Sequence, residues 1–193
     1  MKRRELLNRS LAVTGAGGFL SIGAMGQAEA PKPSDPEPQV NDIAKYPKCN
    51  YCGMDRKRFH HSRMLLAYLD GTAEGVCSIR CAATSLTLNV GRGTKGIWVG
   101  DNASTDEIKP LTDAEKANYL IGSSLRGVMT RRSKVAYSTM EAAEASKAAN
   151  GGEIGDFDKA LLAAYADIAE AVAMGRKTRD ERIKRMQQKK QDQ

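Results

Sequence analysis

Aromatic residues are scarce: three Phe, six Tyr and one Trp in 193 residues. That is too few for the stacking platforms on which sequence-reading RNA and single-strand binders depend. Histidine is scarcer still, His60 and His61 being the only two. No Ser-His-Asp set, phosphate loop or paired carboxylates stands out, so hydrolase and kinase chemistry find no support and the chain reads as a non-enzyme. Long apolar runs are also missing. The best candidate, Leu11 to Met25, is short and glycine-rich against the roughly 20 apolar residues of a membrane span, so no span is expected in the mature chain. The excess of positive charge, 30 basic against 23 acidic residues, belongs to the two ends, because residues 31–174 carry 18 of each sign. A basic nucleic-acid-binding face is therefore excluded from the body of the protein. The length suits one ordinary domain, or two very small ones packed together.

What is present begins with an address. Arg3-Arg4-Glu5-Leu6-Leu7, a mildly apolar stretch and small residues up to Ala30 form a twin-arginine-type export signal over residues 1–30. A cut after Ala28 is preferred, since Pro31 follows Ala30. The mature protein is expected in a bacterial periplasm. Four prolines between Pro31 and Pro38 make residues 31–42 an extended linker, with ordered structure starting near Ile43. The remaining divisions are a metal-binding domain over 43–157, with modules at about 43–101 and 112–157, and a C-terminal helix with a basic tail over 158–193.

The four cysteines, Cys49, Cys52, Cys77 and Cys81, form two short-span pairs. Disulfide frameworks favour longer loops, whereas two close pairs facing each other have the spacing of a four-ligand metal site. Lys48 to Gly53 reads as a turn. Ser78 reads as the cap of a helix running to about Leu88, which puts Cys77 and Cys81 on one side of a helix start, where thiolates are favoured. Met54 stands beside Cys52. Zinc has little use for a thioether, whereas Cu(I) favours thiolate and thioether donors together. His60 and His61 are further candidate ligands. Cu(I) is the expected ion and Zn2+ the alternative, the latter in a treble-clef-like four-cysteine module for protein contact. A thiol–disulfide oxidoreductase built on Cys49 and Cys52 is a third reading, though a thioredoxin-like context around them is missing.

Arg63–Leu69 and Gly75–Cys77 read as strands before the Ser78 helix, and Gly96–Gly100 as a strand after it. Thr112–Glu115 reads as a helical turn or cap. Asn118–Gly122 and Lys134–Ser138 read as strands, Thr139 as the cap of a helix ending at Asn150, and Glu153–Phe157 as a strand. Strand, strand, helix, strand thus occurs twice, a weak internal repeat. Asp158 starts a long helix with Leu161, Leu162, Tyr165, Ile168, Ala169 and Val172 on one buried face. Beyond Gly175 the polar, basic tail either prolongs this helix or is a solvated arm for an acidic partner or a membrane surface.

In order along the chain stand Tyr51-Cys52-Gly53-Met54, Ile97-Trp98-Val99-Gly100-Asp101, Tyr119-Leu120-Ile121-Gly122-Ser123, Gly127-Val128-Met129, Val135-Ala136-Tyr137-Ser138 and Asn150-Gly151-Gly152. With these pieces the sequence resembles the NosL family, copper-binding accessory proteins of nitrous oxide reductase assembly, over roughly residues 45–158. The resemblance implies an α+β fold of two small ββαβ-type modules packed together, plus a C-terminal helix. It implies a periplasmic Cu(I) metallochaperone that serves a client copper enzyme or a membrane copper transporter. It also implies Cys52 and Met54 as primary ligands and Met129 as an additional one. Cys49, Cys77 and Cys81 depart from the family pattern, as do the missing lipid-attachment cysteine and Asn50, which stands where a His often precedes the Tyr.

Overall fold

The computed structural model describes residues 34–191; the segment read as an export signal, residues 1–30, and the start of the proline-rich segment lie outside the described residues. A short helix α1 (Asp42–Lys45) leads into a loop that carries Cys49 and Cys52. Then come β1 (Met64–Tyr68), β2 (Ala73–Val76), α2 (Ile79–Leu88) and β3 (Thr94–Gly100). A fourth strand, β4 (Leu111–Asp113), closes an antiparallel sheet in the order β2-β1-β3-β4. The second half has β5 (Asn118–Ile121), β6 (Lys134–Tyr137), α3 (Met140–Asn150) and β7 (Glu153–Gly155), in a sheet ordered β6-β5-β7. Helix α4 (Phe157–Gln191) ends the described chain.

Both halves are ββαβ units with one topology: a hairpin, a helix, and a third strand returning antiparallel to the first strand of the hairpin. The twofold strand, strand, helix, strand order is therefore a repeat of architecture. The segment at 112–115 differs from its sequence reading. Leu111–Asp113 pairs with Trp98–Gly100 as a strand, because β1 occupies only one edge of β3 and leaves the other free.

Burial follows composition. Every residue of β1 and β2 is buried, so both faces of that hairpin are covered. Met64, Leu66, Tyr68, Val76, Ile79, Ala82 and Ala83 join Tyr119, Phe157, Ala160 and Ala164 in one core that runs through both modules. Helix α4 binds the halves together: the Tyr165 hydroxyl donates to the Ala83 carbonyl at 3.2 Å, and Asp167 pairs with Lys134 at 2.5 Å. Leu162 and Val172, read from the sequence as part of the buried face, are 69% and 56% exposed. The face that packs is Phe157, Ala160, Leu161, Ala164 and Ile168, whose spacings of three and four are the helical repeat.

The proline-rich segment is held more tightly than a linker needs to be. Asp35 accepts from Lys45 and from the Tyr46 hydroxyl, and Pro38 is buried. Asp42 is 5% exposed between Arg56 and Arg63.

Candidate metal centre

The cysteines come from two elements that meet edge to edge. Cys49 and Cys52 sit on a tight loop closed by the bridge between Lys48 and Asp55. The Cys49 N–H donates to the Met54 carbonyl at 2.9 Å and the Gly53 N–H to the Cys49 carbonyl at 3.0 Å. Gly53 has φ +71°, a backbone that only glycine adopts without strain, so Cys-Gly-Met is a turn requirement as well as a donor pattern. Cys77 follows β2 directly, and Cys81 lies in the first turn of α2. The loop is held against β2 by the Asn50 N–H, which donates to the Gly75 carbonyl at 3.0 Å.

The four sulfurs converge, all within 4.8 Å of one another. Cys52 and Cys77 Sγ are 3.4 Å apart, and Cys77 and Cys81 Sγ are 3.8 Å apart. An ion bound to thiolates at about 2.3 Å in a tetrahedron sets sulfurs about 3.8 Å from each other. Cys49, Cys77 and Cys81 are buried; Cys52 is half-buried and is the edge of the cluster that solvent reaches. No cysteine among the described residues is in a disulfide.

Electrostatics within the cluster are strongly uneven. The neighbouring Cys77 and Cys81 thiols, with backbone N–H groups of Cys52 and Tyr51, lower the pKa of the Cys49 thiol. Proximity to Cys49, together with burial, raises the pKa of the Cys77 and Cys81 thiols. Thiols this close cannot all ionise, so the cluster alone supports one thiolate among neutral donors. A bound cation is what allows the others to ionise. Ser78 occupies the N-cap of α2, but its side chain makes no capping bond, and its hydroxyl lies 3.8 Å from Cys77 Sγ instead. The first N–H groups of α2 therefore lack that cap beside the sulfurs, where the helix dipole favours negative charge.

Two residues that sequence reasoning missed brace the centre. Arg56 is fully buried and donates to the carbonyls of Asp42, Tyr46, Met64 and Val76 and to the Asp42 carboxylate. It ties the end of β2, one residue before Cys77, to the segment entering the cysteine loop. Gly75 makes room for it: a Cβ there would lie 2.7 Å from Arg56 Nη1 and 2.5 Å from Tyr46 Cβ. Glu74, 5% exposed, accepts from the hydroxyls of Tyr51 and Ser85 at 2.7 Å each and from Arg92 at 3.2 Å. Tyr51 lies between the two loop cysteines, so Glu74 orients that loop through a bonded phenol. Burial, and then the bond to Glu74, push the Tyr51 hydroxyl up to about 12. The available signal was a lone acid in the otherwise apolar run Ala73–Val76, and an arginine two residues past Met54.

The remaining candidates fall in three places. Met54 is half-buried and packs on the core that holds Cys49, Cys77 and Cys81. His60 and His61 are not gathered with the cysteines, which form the only metal-competent group of His, Cys, Asp and Glu among the described residues. His60 Nδ1 accepts from the Lys109 N–H at 3.2 Å, and the two imidazoles stand edge to face 5.7 Å apart. Burial lowers both pKa values, with Arg63 and Lys109 adding to it at His60 and His60 adding to it at His61. Met129 has φ +60° and is 39% exposed. It lines a cleft of about 400 Å3 against Asp167, Glu170, Ala171 and Met174 of α4. The loop of Gly127–Arg132 is tied to α4 there by Thr130 and Arg132 bonded to Asp167.

The family model described as NosL matches residues 39–163. Among solved structures, the chain is similar to the copper chaperone NosL from Shewanella denitrificans at 25% identity. That match covers 57% of this chain and 87% of that one, with a TM-score of 0.47. The apo-NosL protein from Achromobacter cycloclastes is similar at 21% identity over 49% and 82%, with a TM-score of 0.34. No curated protein matches the sequence.

Proposed function

The chain belongs to the NosL family, and from that premise we propose that it is a copper-binding chaperone that carries Cu(I) in the periplasm to a client copper enzyme, nitrous oxide reductase or a relative, or to a membrane copper transporter. Within this reading it binds and passes on an ion and turns over no substrate. The observation that carries it is the convergence of four thiols of which one, Cys52, remains half-exposed beside Met54. Thiolate and thioether are the soft donors that select Cu(I). An ion held at an open edge can be taken over by a partner's ligands one bond at a time, beginning at Cys52. Cys52 and Met54 form the exchanging edge, and the buried Cys49, Cys77 and Cys81 complete the set behind it. The twin-arginine-type signal over residues 1–30 supports export in a folded state.

One observation favours a second reading. Four sulfurs at tetrahedral spacing also suit Zn2+, whose structural sites are closed by four thiolates. Anaerobic Cu(I) titration of the reduced protein against a Cu(I) chelator, with metal analysis as purified, separates the two. One tight Cu(I) per chain, weakened by Cys52→Ser and Met54→Leu, establishes the chaperone. Stoichiometric zinc, no competitive Cu(I) binding and loss of fold on chelation establish a structural zinc module and overturn it.

A further inference from the structure

Helix α4 does two jobs in two lengths. Up to Ile168 it packs on the modules, and from Ala169 to Met174 it is exposed but lines the cleft with Met129; beyond that, Gly175 to Gln191 is about 25 Å of exposed helix with no cover. Between Arg176 and Gln191 it carries eight basic and two acidic residues. Among the described residues none of those cations is in an ion pair.

The charge is not spread evenly around this length. Successive residues turn by about 100°, which places Arg176, Arg179, Arg182, Arg185, Lys189 and Lys190 within one half of the circumference. Ile183 and Met186, 46% and 55% exposed, lie in the same half. Both acids, Asp180 and Glu181, fall on the other half with Lys177 and Lys184, which is consequently neutral. One face thus has six cations, two apolar side chains and no acid.

We propose that this face of α4 docks the protein on an anionic lipid surface, the cations meeting headgroup phosphates and Ile183 and Met186 entering the headgroup layer. The pattern is that of an interfacial helix of high charge and low net hydrophobicity. A lipid surface fits better than an acidic protein because the six cations of this face are smeared along the helix with no aromatic anchor or bonded polar pair among them to fix one constellation of carboxylates. Its partner is then a plane of repeated negative charge. Each cation near such a surface strengthens binding by about a factor of five, and salt weakens the whole.

Sedimentation of the full chain with phosphatidylglycerol–phosphatidylcholine vesicles tests this against vesicles of phosphatidylcholine alone and against poly-glutamate. The variant Arg179→Gln/Arg182→Gln/Arg185→Gln/Lys189→Gln should lose at least tenfold in partitioning onto the anionic vesicles. Lys177→Gln/Lys184→Gln, which removes charge from the other half, should lose less than threefold. Residues 1–30 are common to all three proteins, and unchanged far-ultraviolet circular dichroism shows that the helix persists. Equal partitioning of wild type and the four-site variant, or equal losses per charge from the two faces, overturns the proposal. So does face-dependent binding to poly-glutamate with none to vesicles, which would make the partner an acidic polypeptide.

Discussion

The two ββαβ modules align residue by residue at the turn from hairpin to helix, and there they part. Val76-Cys77-Ser78-Ile79-Arg80-Cys81 in the first corresponds to Tyr137-Ser138-Thr139-Met140-Glu141-Ala142 in the second. In the second, Thr139 caps α3 through a hydroxyl that accepts the Ala142 N–H at 3.3 Å, and the turn is exposed. In the first, the capping bond is absent and two thiols occupy the place. Helix α2 buries five residues, α3 only Ala143. One topology therefore serves two ends. A solvated helix needs its cap for stability; a helix start beside sulfurs leaves the cap unmade and turns its dipole to binding.

A similar contrast holds for anchoring. Each module is fastened to an outside segment by one buried aspartate, Asp42 to the first and Asp167 to the second. Asp42 binds the guanidinium groups of Arg56 and Arg63, whose side chains are 0% and 4% exposed. Asp167 binds Lys134, at 1%, and Arg132, at 42%. The metal-bearing module has the drier anchor.

The largest expected effect separates the modules by chemistry. Cys77→Ser/Cys81→Ser removes half the ligands of a site of a kind worth roughly 10–16 kcal/mol. Metal affinity should fall at least about a thousandfold by chelator competition. The reverse transfer, Ser138→Cys/Ala142→Cys, should add no second equivalent of metal, because no cysteine loop faces α3. A second equivalent would break the comparison.

The anchors come next. Asp42→Asn leaves two buried guanidinium groups uncompensated and should cost about 4–5 kcal/mol in urea unfolding; Asp167→Asn should cost about 3 kcal/mol, Arg132 being able to turn to water. Asp167 also predicts a pH dependence. Burial raises its pKa, but bonds from Lys134, Thr130 and Arg132 outweigh burial and hold it below the usual carboxylate range. Its contribution is therefore present above about pH 4 and is lost as pH falls through the depressed value. The urea midpoint of Asp167→Asn should lack that component of the acid loss.

Smaller effects sharpen the match of positions. Gly75 and Ala136 correspond, and Ala136 is 1% exposed with its Cβ accommodated. Gly75→Ala should cost about 2 kcal/mol, because the Cβ meets Arg56 and Tyr46, and should weaken metal binding through Cys77. Smallest is the cap pair. Thr139→Ala should cost about 1 kcal/mol, whereas Ser78→Ala, which breaks no capping bond, should cost under about 0.5 kcal/mol. Equal costs would show that Ser78 caps α2 after all.

Local chemistry made most of this fold legible in the sequence. The strands of both hairpins, the helix starts at Ser78 and Thr139 and the stop at Asn150 each carry their signal within a few residues. The two cysteine pairs announced a site by spacing alone. What stayed hidden depends on partners far away in sequence. Arg56 and Asp42 look like surface charges until the fold brings Val76, Met64 and Arg63 around them. β4 exists because β1 covers only one edge of β3. The exposure of Leu162 follows from where α4 packs on α2 and the second sheet, which its own periodicity does not encode. His60 and His61 have the right chemistry for ligands, but the loop that carries them turns to Lys109.

The cysteine loop lies ahead of β1, outside the unit that repeats. Were the chain to have arisen by tandem copying of a ββαβ ancestor, each copy would inherit the helix half of a metal site and only the first would have a loop to complete it. In the second copy, selection would have had nothing to preserve at Ser138 and Ala142 beyond a well-capped helix, which is what stands there now.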